Sequence, residues 1–382
     1  MSSMWGNKIK ISVFGESHGQ AIGVTIDGLP PGMDIDESKI KDFMQRRASR
    51  GMPWSTSRQE TDNPRILSGV YQGKTTGTPL CAMIENQDTR SQDYRAQESV
   101  PRPGHADLTA MARYLGFQDP RGGGHFSGRL TAPIAFAGAV CKQILEKKNI
   151  LIFSHIASIG ECKDKLFDSV NVDTSLLKTI ADKDFPVLDD ESGLHMVERI
   201  LTAKNQMDSV GGIVECMAYG VPAGLGNPIF DNVESRISSI IFGIPAVKGV
   251  EFGAGFEVAG RQGSQNNDSP YFARLKQVDN SQCPDYQQSK TQPSVIRYRT
   301  NNAGGIEGGI TNGMPVLFRV AFKPTPSIAR EQESIDLFNK ENVHFQGKGR
   351  HDPCIVPRAA LVVEAVCAIA ILDLWMESYT EG

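Results

Sequence analysis

Short apolar runs bounded by glycine alternate along the chain with a few long apolar helices. Residues 9–14 and 21–26 have the composition of strands, and similar runs occur at residues 79–84, 150–159, 211–217, 250–256 and 314–322. Turn residues typical of antiparallel pairing follow many of these runs, and no regular strand–helix alternation occurs. The pattern therefore predicts antiparallel sheets.

Two predicted helices, residues 131–145 and 357–375, are apolar on nearly every side, and such a helix must be covered all round. An α+β fold with a central helical layer covered by antiparallel sheets satisfies both patterns. The longest apolar stretch, residues 359–372, is interrupted by Glu364 and is too short to span a bilayer. We therefore expect a buried helix there and no membrane anchor.

A strand, a glycine–proline turn and a helix with an acidic start occur twice, roughly 190 residues apart. The turns are residues 28–32 (GLPPG) and 220–224 (GVPAG), and the helices begin near residues 34 and 231. We favour an internal duplication that forms two halves of one domain, although common turn chemistry could produce the same likeness. No Pro/Ser-rich linker divides residues 1–382, so a single domain is predicted.

Two polar, weakly periodic segments, residues 268–292 and 323–346, are predicted to be long loops. Long loops in compact proteins are often active-site lids, and plain surface excursions are the alternative.

The overall charge excludes a nucleic-acid binder. The 382 residues have a formal net charge of −4, without the basic footprint that nucleic acid requires. The seven cysteines form no CxxC pair and no zinc-ligand spacing, which is typical of reduced, cytosolic thiols. The first ten residues contain no apolar export signal, so a cytoplasmic location is expected.

Four glycine-rich segments contain four of the seven histidines, and each also contains charged side chains. They are residues 15–19 (GESHG), 102–107 (RPGHAD), 121–129 (RGGGHFSGR) and 349–353 (GRHDP). Glycine lets backbone N–H groups approach a ligand, arginine matches phosphate or carboxylate, and histidine exchanges protons near neutral pH. The combination predicts a site for a small, strongly anionic molecule with acid–base chemistry beside it.

Each segment also has a structural interpretation. A histidine such as His18 is more often structural than catalytic, but its glycine neighbours offer few packing partners. Asp107 could cap a helix, and could do so while Arg102 and His105 act in a site. The glycines at residues 122–124 lead into the apolar helix at residue 131, which favours an anion site over a flexible loop.

The ordered motifs resemble those of the chorismate synthase family from residue 14 to about residue 367. Besides the segments above, they include residues 90–94 (RSQDY), 221–226 (VPAGLG), 246–253 (AVKGVEFG), 303–309 (AGGIEGG) and 323–327 (KPTPS). The resemblance implies a β-α-β sandwich with internal pseudo-symmetry, assembled as a homotetramer. It also implies a lyase of aromatic amino acid biosynthesis that eliminates phosphate and a ring proton from 5-enolpyruvylshikimate 3-phosphate to give chorismate.

That family requires reduced FMN, and NADPH is a candidate reductant. By resemblance, His18 is the general acid for the leaving phosphate, His105 lies near flavin N1, and Asp352 lies near flavin N5 in the path of the ring proton. Four arginines would line the anionic pocket: Arg47, Arg102, Arg129 and Arg350. The implied FMN contacts are His125, Phe126, Ser127, Pro245, Ala246, Gly308, Lys323, Pro324, Thr325, Pro326, Ser327 and Arg350.

The chain departs from the common family pattern beside its third glycine motif. Many members have arginine and serine at His125 and Phe126, and alanine at Gly128. The spacing of residues 46–58 also differs, which leaves Arg50 unassigned. Two alternatives remain: a metal-dependent phosphohydrolase that uses His18, His105, His351 and Asp352, and a flavin- or phosphate-binding module without activity.

Overall fold

The computed structural model describes residues 3–48, 51–55, 61–87, 99–274, 294–347 and 351–379. The helices in these ranges are α1 (Glu37–Arg47), α2 (Asp107–Tyr114), α3 (Thr131–Glu146), α4 (Thr174–Ala181), α5 (Asp190–Asn205), α6 (Val233–Ile241), α7 (Gly263–Asn266) and α8 (Val356–Tyr379).

Most strands belong to two five-stranded sheets, and the rest form short hairpins. The strands are β1 (Met4–Trp5), β2 (Lys10–Gly15), β3 (Ala21–Asp27), β4 (Arg65–Ser68), β5 (Val70–Tyr71), β6 (Lys74–Thr75), β7 (Leu80–Glu85), β8 (Leu151–Ile159), β9 (Cys162–Lys163), β10 (Gly212–Tyr219), β11 (Val247–Phe252), β12 (Pro270–Arg274), β13 (Ser294–Tyr298), β14 (Ile306–Glu307), β15 (Ile310–Thr311), β16 (Val316–Phe322), β17 (Glu331–Asp336) and β18 (Glu341–Gln346).

Both large sheets are antiparallel throughout. The first has the order β1-β2-β3-β7-β4, and the second has the order β11-β16-β10-β8-β9. Helix α3 packs against β2, β3 and β7 of the first sheet, whereas α8 packs against β8 and β10 of the second. The antiparallel pairing predicted from the turn residues is confirmed.

The two apolar helices α3 and α8 pack closely on each other. A Cβ atom on Gly138 of α3 would lie 2.3 Å from the Cβ atom of Ala365 on α8, so only glycine permits this approach. Almost every residue of both helices is buried. The prediction that these two apolar helices are covered on all sides is therefore confirmed.

Helix α8 also contains buried carboxylates, and each has cationic partners. Glu364 pairs with Lys142 of α3 and with Arg46 of α1. The carboxylate of Asp373 pairs with Arg236 and accepts backbone N–H groups of residues 7–9. Such pairing is what allows a charged group inside an apolar core.

The length argument against a membrane helix was wrong, because α8 extends beyond the predicted apolar stretch. With 24 residues it is long and apolar enough to cross a membrane, but 94% of its most apolar window is buried inside the protein. Burial in the core, and not length, identifies it as a core helix.

The turn after β3 is held by one buried threonine of the β5–β6 hairpin. Thr75 accepts a hydrogen bond from the N–H of Met33 on its side-chain oxygen and donates its hydroxyl to the carbonyl of Pro30. Its backbone carbonyl accepts from Gly32, and its N–H donates to the carbonyl of Met33.

The turn after β10 has the same four hydrogen bonds, made by a threonine of the β14–β15 hairpin. Thr311 accepts from Leu225 and donates its hydroxyl to Pro222. Its carbonyl accepts from Gly224, and its N–H donates to Leu225. The two turns therefore share both their sequence pattern and their bonding.

Several predicted elements are confirmed, and others are wrong. Helices α1, α3, α6 and α8 and the predicted strands occur close to their expected bounds, although the strand predicted at residues 250–256 ends at Phe252. The predicted loop at residues 323–346 contains the β17–β18 hairpin, whose alternating residues are half-buried and exposed. The predicted loop at residues 268–292 begins with β12, and its residues 275–292 lie outside the described ranges.

Candidate active site

A cavity of about 660 Å³ is lined by segments that are far apart in the chain. They include the turn after β2, the end of α1, the loop before α2, the segment before α3, the residues after α6 and the residues before α8. Its volume is within the range of small-molecule sites. Most predicted site residues line it: His18, Arg47, Arg102, His105, His125, Phe126, Ser127, Arg129, Pro245, Ala246, Lys323, Thr325, Pro326, Ser327 and Asp352.

Three predicted residues are not among those that line the cavity. Pro324 packs beside Gly211, which precedes β10. Gly308 lies in the exposed turn between β14 and β15. Arg350 lies outside the described residues, as do Arg50 and residues 90–94.

The glycines before α3 form a strip of left-handed backbone that other residues rarely adopt. Gly122, Gly123 and Gly124 have φ values of 61°, 82° and 52°. The carbonyl of Gly124 accepts the N–H of Ser17 at 3.1 Å, which joins this glycine strip to the turn that contains His18.

The imidazole of His18 lies directly on the glycine strip and is only 7% exposed. A Cβ atom on Gly122 would lie 2.1 Å from both Nδ1 and Cε1 of His18. The absence of a side chain at position 122 is therefore what allows His18 to occupy its place in the cavity wall.

On the next residue of the strip, Gly123 gives space to His105. A Cβ atom there would lie 2.9 Å from Cε1 of His105. The Nδ1 atom of His105 lies 2.8 Å from Oδ1 of Asp107 and 3.0 Å from Nη2 of Arg102, and a proton on Nδ1 is donated to the carboxylate. The Nε2 atom is thereby left on the side of Gly123 and the cavity.

Asp107 is an orienting carboxylate and not the helix cap that the sequence suggested. It begins α2, whereas the cap position is Ala106 and has no side-chain capping bond. Its two oxygens accept from Nε and Nη2 of Arg102 at 2.8 and 2.7 Å. Burial acts to raise the pKa of Asp107, but the hydrogen bonds from Arg102 and His105 hold it well below its usual range.

Three buried arginines provide the positive charge of the cavity wall. Arg47, Arg102 and Arg129 are 2%, 5% and 6% exposed. Arg102 is paired with Asp107, and Arg47 and Arg129 share Asp62, so the three guanidinium groups exceed their carboxylate partners by one positive charge. The cavity is therefore suited to an anionic ligand.

Asp352 is held at the cavity by two hydrogen-bond donors. Arg358 of α8 donates from Nη1 at 2.7 Å, and the hydroxyl of Ser55 donates at 3.2 Å. Arg358 also donates from Nε to the carbonyl of Arg47 at 3.0 Å. One side chain thus joins the carboxylate of Asp352 to the end of α1.

His351 is a neutral imidazole in the cavity wall. Burial and the charges of Arg102 and His105 together lower the pKa of His351 to about 4, although Asp352 opposes them. From the sequence, His351 was a member of the fourth glycine-rich segment and a candidate residue of the phosphohydrolase alternative. Its neighbours make it a hydrogen-bonding group near neutral pH instead of an acid.

The side chains at residues 125 and 126, where the chain departs from the common family pattern, contact neighbouring segments. The two ring nitrogens of His125 each lie 2.9 Å from a partner, the carbonyl of Gly15 and the hydroxyl of Ser3. His125 therefore ties the glycine strip to β2 and to the N-terminal segment. Phe126 packs edge-on against Tyr114 of α2, with ring centroids 6.1 Å apart.

The segment of residues 323–327 meets two other walls of the cavity. The N–H of Lys323 donates to the carbonyl of Ala246 at 3.0 Å, and its ammonium group donates to the carbonyl of Gly104. Burial lowers the pKa of Lys323, and the charge of Lys248 lowers it further. These contacts bring two sets of predicted flavin-binding residues, 245–246 and 323–327, together beside the loop that contains His105.

Sequence reasoning did not find Asp62 or assign a role to Arg358. Asp62 is buried between Arg47 and Arg129, although its sequence neighbours carry no glycine or histidine signal. Arg358 occurs six residues after Asp352, near the start of the predicted helix, and this spacing was the available signal. Among the described residues, no three His, Cys, Asp or Glu side chains are grouped as a metal site, so the phosphohydrolase alternative gains no support.

The comparisons with known proteins agree on one family. The family model for chorismate synthase matches residues 9–376. Chorismate synthase of Pyrococcus abyssi is 45% identical over 97% of this chain and 96% of that protein, and that of Thermococcus kodakarensis is 43% identical over the same shares.

A chorismate synthase crystal structure superposes with a TM-score of 0.73 at 29% identity, covering 98% of this chain and 93% of that one. Chorismate synthase of Cytophaga hutchinsonii, a third relative, is 42% identical over 99% of this chain and 98% of that protein. The chain therefore belongs to the chorismate synthase family, the lyases that eliminate phosphate from 5-enolpyruvylshikimate 3-phosphate.

Proposed function

We propose that the cavity binds 5-enolpyruvylshikimate 3-phosphate together with reduced FMN, and that His18, His105 and Asp352 provide the acid–base groups. The observation that carries this proposal is that all three line one cavity with Arg47 and Arg129. The substrate has one phosphate and two carboxylates, and each charge-assisted hydrogen bond to them contributes roughly 1.5–3 kcal/mol.

The residues present fit a flavin on a structural ground as well as by resemblance. The buried hydroxyl oxygens of Thr325, in the cavity wall, and of Ser17, beside the glycine strip, have no hydrogen-bond partner among the described residues. A polar ligand would satisfy such groups. Ser127, Ala246 and the segment at residues 323–327 would hold the cofactor, and reduced FMN, when bound, supplies electron density to the allylic system of the substrate.

His18 is the proposed general acid for the leaving phosphate. Its ring is held in a wall that is closed to solvent, against backbone that has no side chain. An anion beside the imidazole favours its protonated form, since a bound phosphate raises the pKa of a neighbouring histidine.

His105 is proposed to keep a fixed orientation while its Nε2 atom faces the ligands. Oδ1 of Asp107 lies 2.8 Å from Nδ1, which fixes the orientation of the ring. The paired Arg102 stays in place because two of its nitrogens are bonded to the same carboxylate.

Asp352 is proposed to accept the ring proton of the substrate at one carboxylate oxygen. Ser55 and Arg358 bind its two oxygens, which fixes the direction of the carboxylate.

An anaerobic assay with chemically reduced FMN tests this function. Purified protein mixed with 5-enolpyruvylshikimate 3-phosphate should release phosphate and form chorismate in equal amounts, and oxidised FMN should give neither. Phosphate release without chorismate would overturn the proposal. Adding NADPH with oxidised FMN in place of the chemical reductant tests whether the chain reduces its own flavin.

We also propose that the fold is a pseudo-symmetric β-α-β sandwich made by duplication. The equal bonding of Thr75 and Thr311 supports this, because four hydrogen bonds recur at turns with the same sequence pattern. The order of elements supports it too: β2, β3, α1, β4, β7 and α3 correspond to β8, β10, α6, β11, β16 and α8.

Assembly and location follow from the family. We propose a cytoplasmic homotetramer that binds neither nucleic acid nor membrane. The charge balance and the burial of α8 support the last two points. Light scattering of the purified protein measures the assembly state, and a mass other than that of four chains would refute the tetramer.

A further inference from the structure

One buried carboxylate lies between two arginines of the cavity wall. Oδ2 of Asp62 accepts from Nη1 of Arg47, and Oδ1 accepts from Nη1 of Arg129. The side chains of all three residues are at most 4% exposed. Asp62 itself is not among the residues that line the cavity, so it lies behind the arginines.

Each arginine has further fixed hydrogen bonds. Nε of Arg47 donates to Oγ1 of Thr131 at 3.0 Å, and Nη2 donates to the carbonyl of Gly128 at 3.3 Å. Nε of Arg129 donates to Oδ1 of Asn86 at 3.0 Å. Both guanidinium groups also bind Asp62, which is the partner that they share.

Electrostatics makes the carboxylate necessary for this arrangement. Burial and the charges of Arg358 and Arg129 lower the pKa of Arg47 to about 10, although Asp62 opposes that shift. Two guanidinium groups at the same buried place repel each other, and one carboxylate between them offsets that repulsion. The three groups together have a net charge of +1.

We infer that Asp62 is a positioning residue that fixes Arg47 and Arg129 in the geometry that matches the anionic groups of the substrate. The inference rests on the proposed function only for the identity of the substrate. Arg47 lies at the end of α1, and Arg129 lies immediately before α3. Among the described residues, Asp62 is therefore the group that joins their two guanidinium groups directly. Loss of this alignment affects a large rigid substrate more than a small ion.

The test compares Asp62→Asn with the wild-type protein in two measurements. The first is steady-state turnover of the phosphorylated substrate with reduced FMN, and the second is calorimetric titration with inorganic phosphate, which needs no turnover. An asparagine removes the negative charge, so the group acquires a net charge of +2 and one arginine loses its acceptor.

We expect the KM for the substrate to rise on the order of tenfold or more while inorganic phosphate binds at least as tightly as before. Inorganic phosphate is small enough to bind the arginines in new positions, and the added positive charge strengthens its binding. A merely structural role would weaken both ligands together and lower the unfolding temperature, and that result overturns the inference. An unchanged KM overturns it as well.

Asp34→Asn is the matched control. Asp34 also pairs with two cations, Lys74 and Lys147, but it is exposed and does not line the cavity. Neither measurement should change in this variant. Absence of chorismate formation by the wild-type protein would refute the proposed function, and the phosphate titration would still report on Asp62.

A second variant keeps the inference testable if Asp62→Asn fails to fold. Thr131→Val keeps the size of the side chain and all charges but removes a hydroxyl of the cavity wall, which accepts from Nε of Arg47 and donates to the carbonyl of Gly128. We expect a smaller rise in the KM for the substrate and unchanged binding of inorganic phosphate. An unchanged KM in this folded variant would overturn the positioning role.

Discussion

The ring of His18 occupies the space that a side chain at Gly122 would need, since a Cβ atom there would lie 2.1 Å from two of its atoms. This contact explains why a glycine is needed at position 122 for a histidine more than one hundred residues earlier to reach the cavity wall. The glycine permits the histidine to lie on backbone in the cavity wall, and the left-handed φ of 61° restricts position 122 further.

Gly122→Ala should therefore abolish most activity. The methyl group displaces the ring of His18, and we expect kcat to fall about 100-fold or more, the usual loss when a catalytic group is misplaced. Turnover with reduced FMN measures this loss. Gly128→Ala is the control, because Gly128 also lines the cavity but a Cβ atom there would contact nothing within 4 Å.

Backbone strain needs its own control. Gly116→Ala also places alanine at a positive φ, 83°, and in open space. It should cost about 1 kcal/mol of stability and leave turnover unchanged. Equal loss of activity in Gly116→Ala and Gly122→Ala would contradict the role given to the contact with His18.

Asp107→Asn should lower kcat roughly 10- to 100-fold, because His105 loses the acceptor that fixes its tautomer. The pH dependence of kcat should also change, since the group beside His105 loses its negative charge. Rate measurements from pH 5 to 9 test this. Asp208→Asn, which removes a surface pair with Arg330, should keep the wild-type profile. A variant with lower kcat and an unshifted profile would argue against the orienting role.

His351 should make the protein less stable in acid. Its pKa is lowered to about 4, so the unfolded chain binds more protons than the folded one between that value and about 6.5. The contribution is complete above pH 6.5 and is lost as the pH falls through 4, a change of about 3 kcal/mol. The difference in unfolding free energy between wild type and His351→Gln measures it.

The matched control for this experiment is His344→Gln, at an exposed position of β18. Its difference from wild type should vary little between pH 4 and 7. A constant difference for His351→Gln as well would contradict the buried, neutral imidazole.

His155 should have the opposite dependence. It is fully buried in the second sheet between Asp164 and Glu215, and Glu215 in turn faces Arg319. Burial acts to lower the pKa of His155, but the two carboxylates raise it overall. Its contribution is therefore complete below about pH 6.5 and is lost as the pH rises through the raised value.

Thermal unfolding of His155→Gln from pH 6 to 9 tests this prediction. The variant should be least stable relative to wild type at the acid end, by ~3 kcal/mol, because two buried carboxylates lose their cation. His195→Gln, at an exposed position of α5, should show no such trend. A deficit that grows with pH would refute the charged imidazole.

The sequence predicted the central elements because their patterns are local. The acidic start of α1, confirmed by the cap at Asp36, and the continuous apolar runs of α3 and α8 depend on residues that are neighbours in the chain. The β17–β18 hairpin was missed, since its strands are charged and only half-buried. Packing on distant segments decided its structure.

The site divides in the same way. Glycine, arginine and histidine motifs indicated His18, His105 and most of the cavity wall. The roles of Asp62 and Arg358 depend on contacts between parts of the chain separated by tens to hundreds of residues, such as the bond from Arg358 to the carbonyl of Arg47. The spacing of Asp352 and Arg358 was a local signal for their bond, and the other contacts appear only in the folded chain.

A crystal structure of the protein with 5-enolpyruvylshikimate 3-phosphate and oxidised FMN tests the central claim most directly. We predict both molecules in the cavity of about 660 Å³, with the substrate phosphate within hydrogen-bond distance of His18. Density for either molecule outside this cavity, or a substrate whose phosphate lies away from His18, would contradict the account.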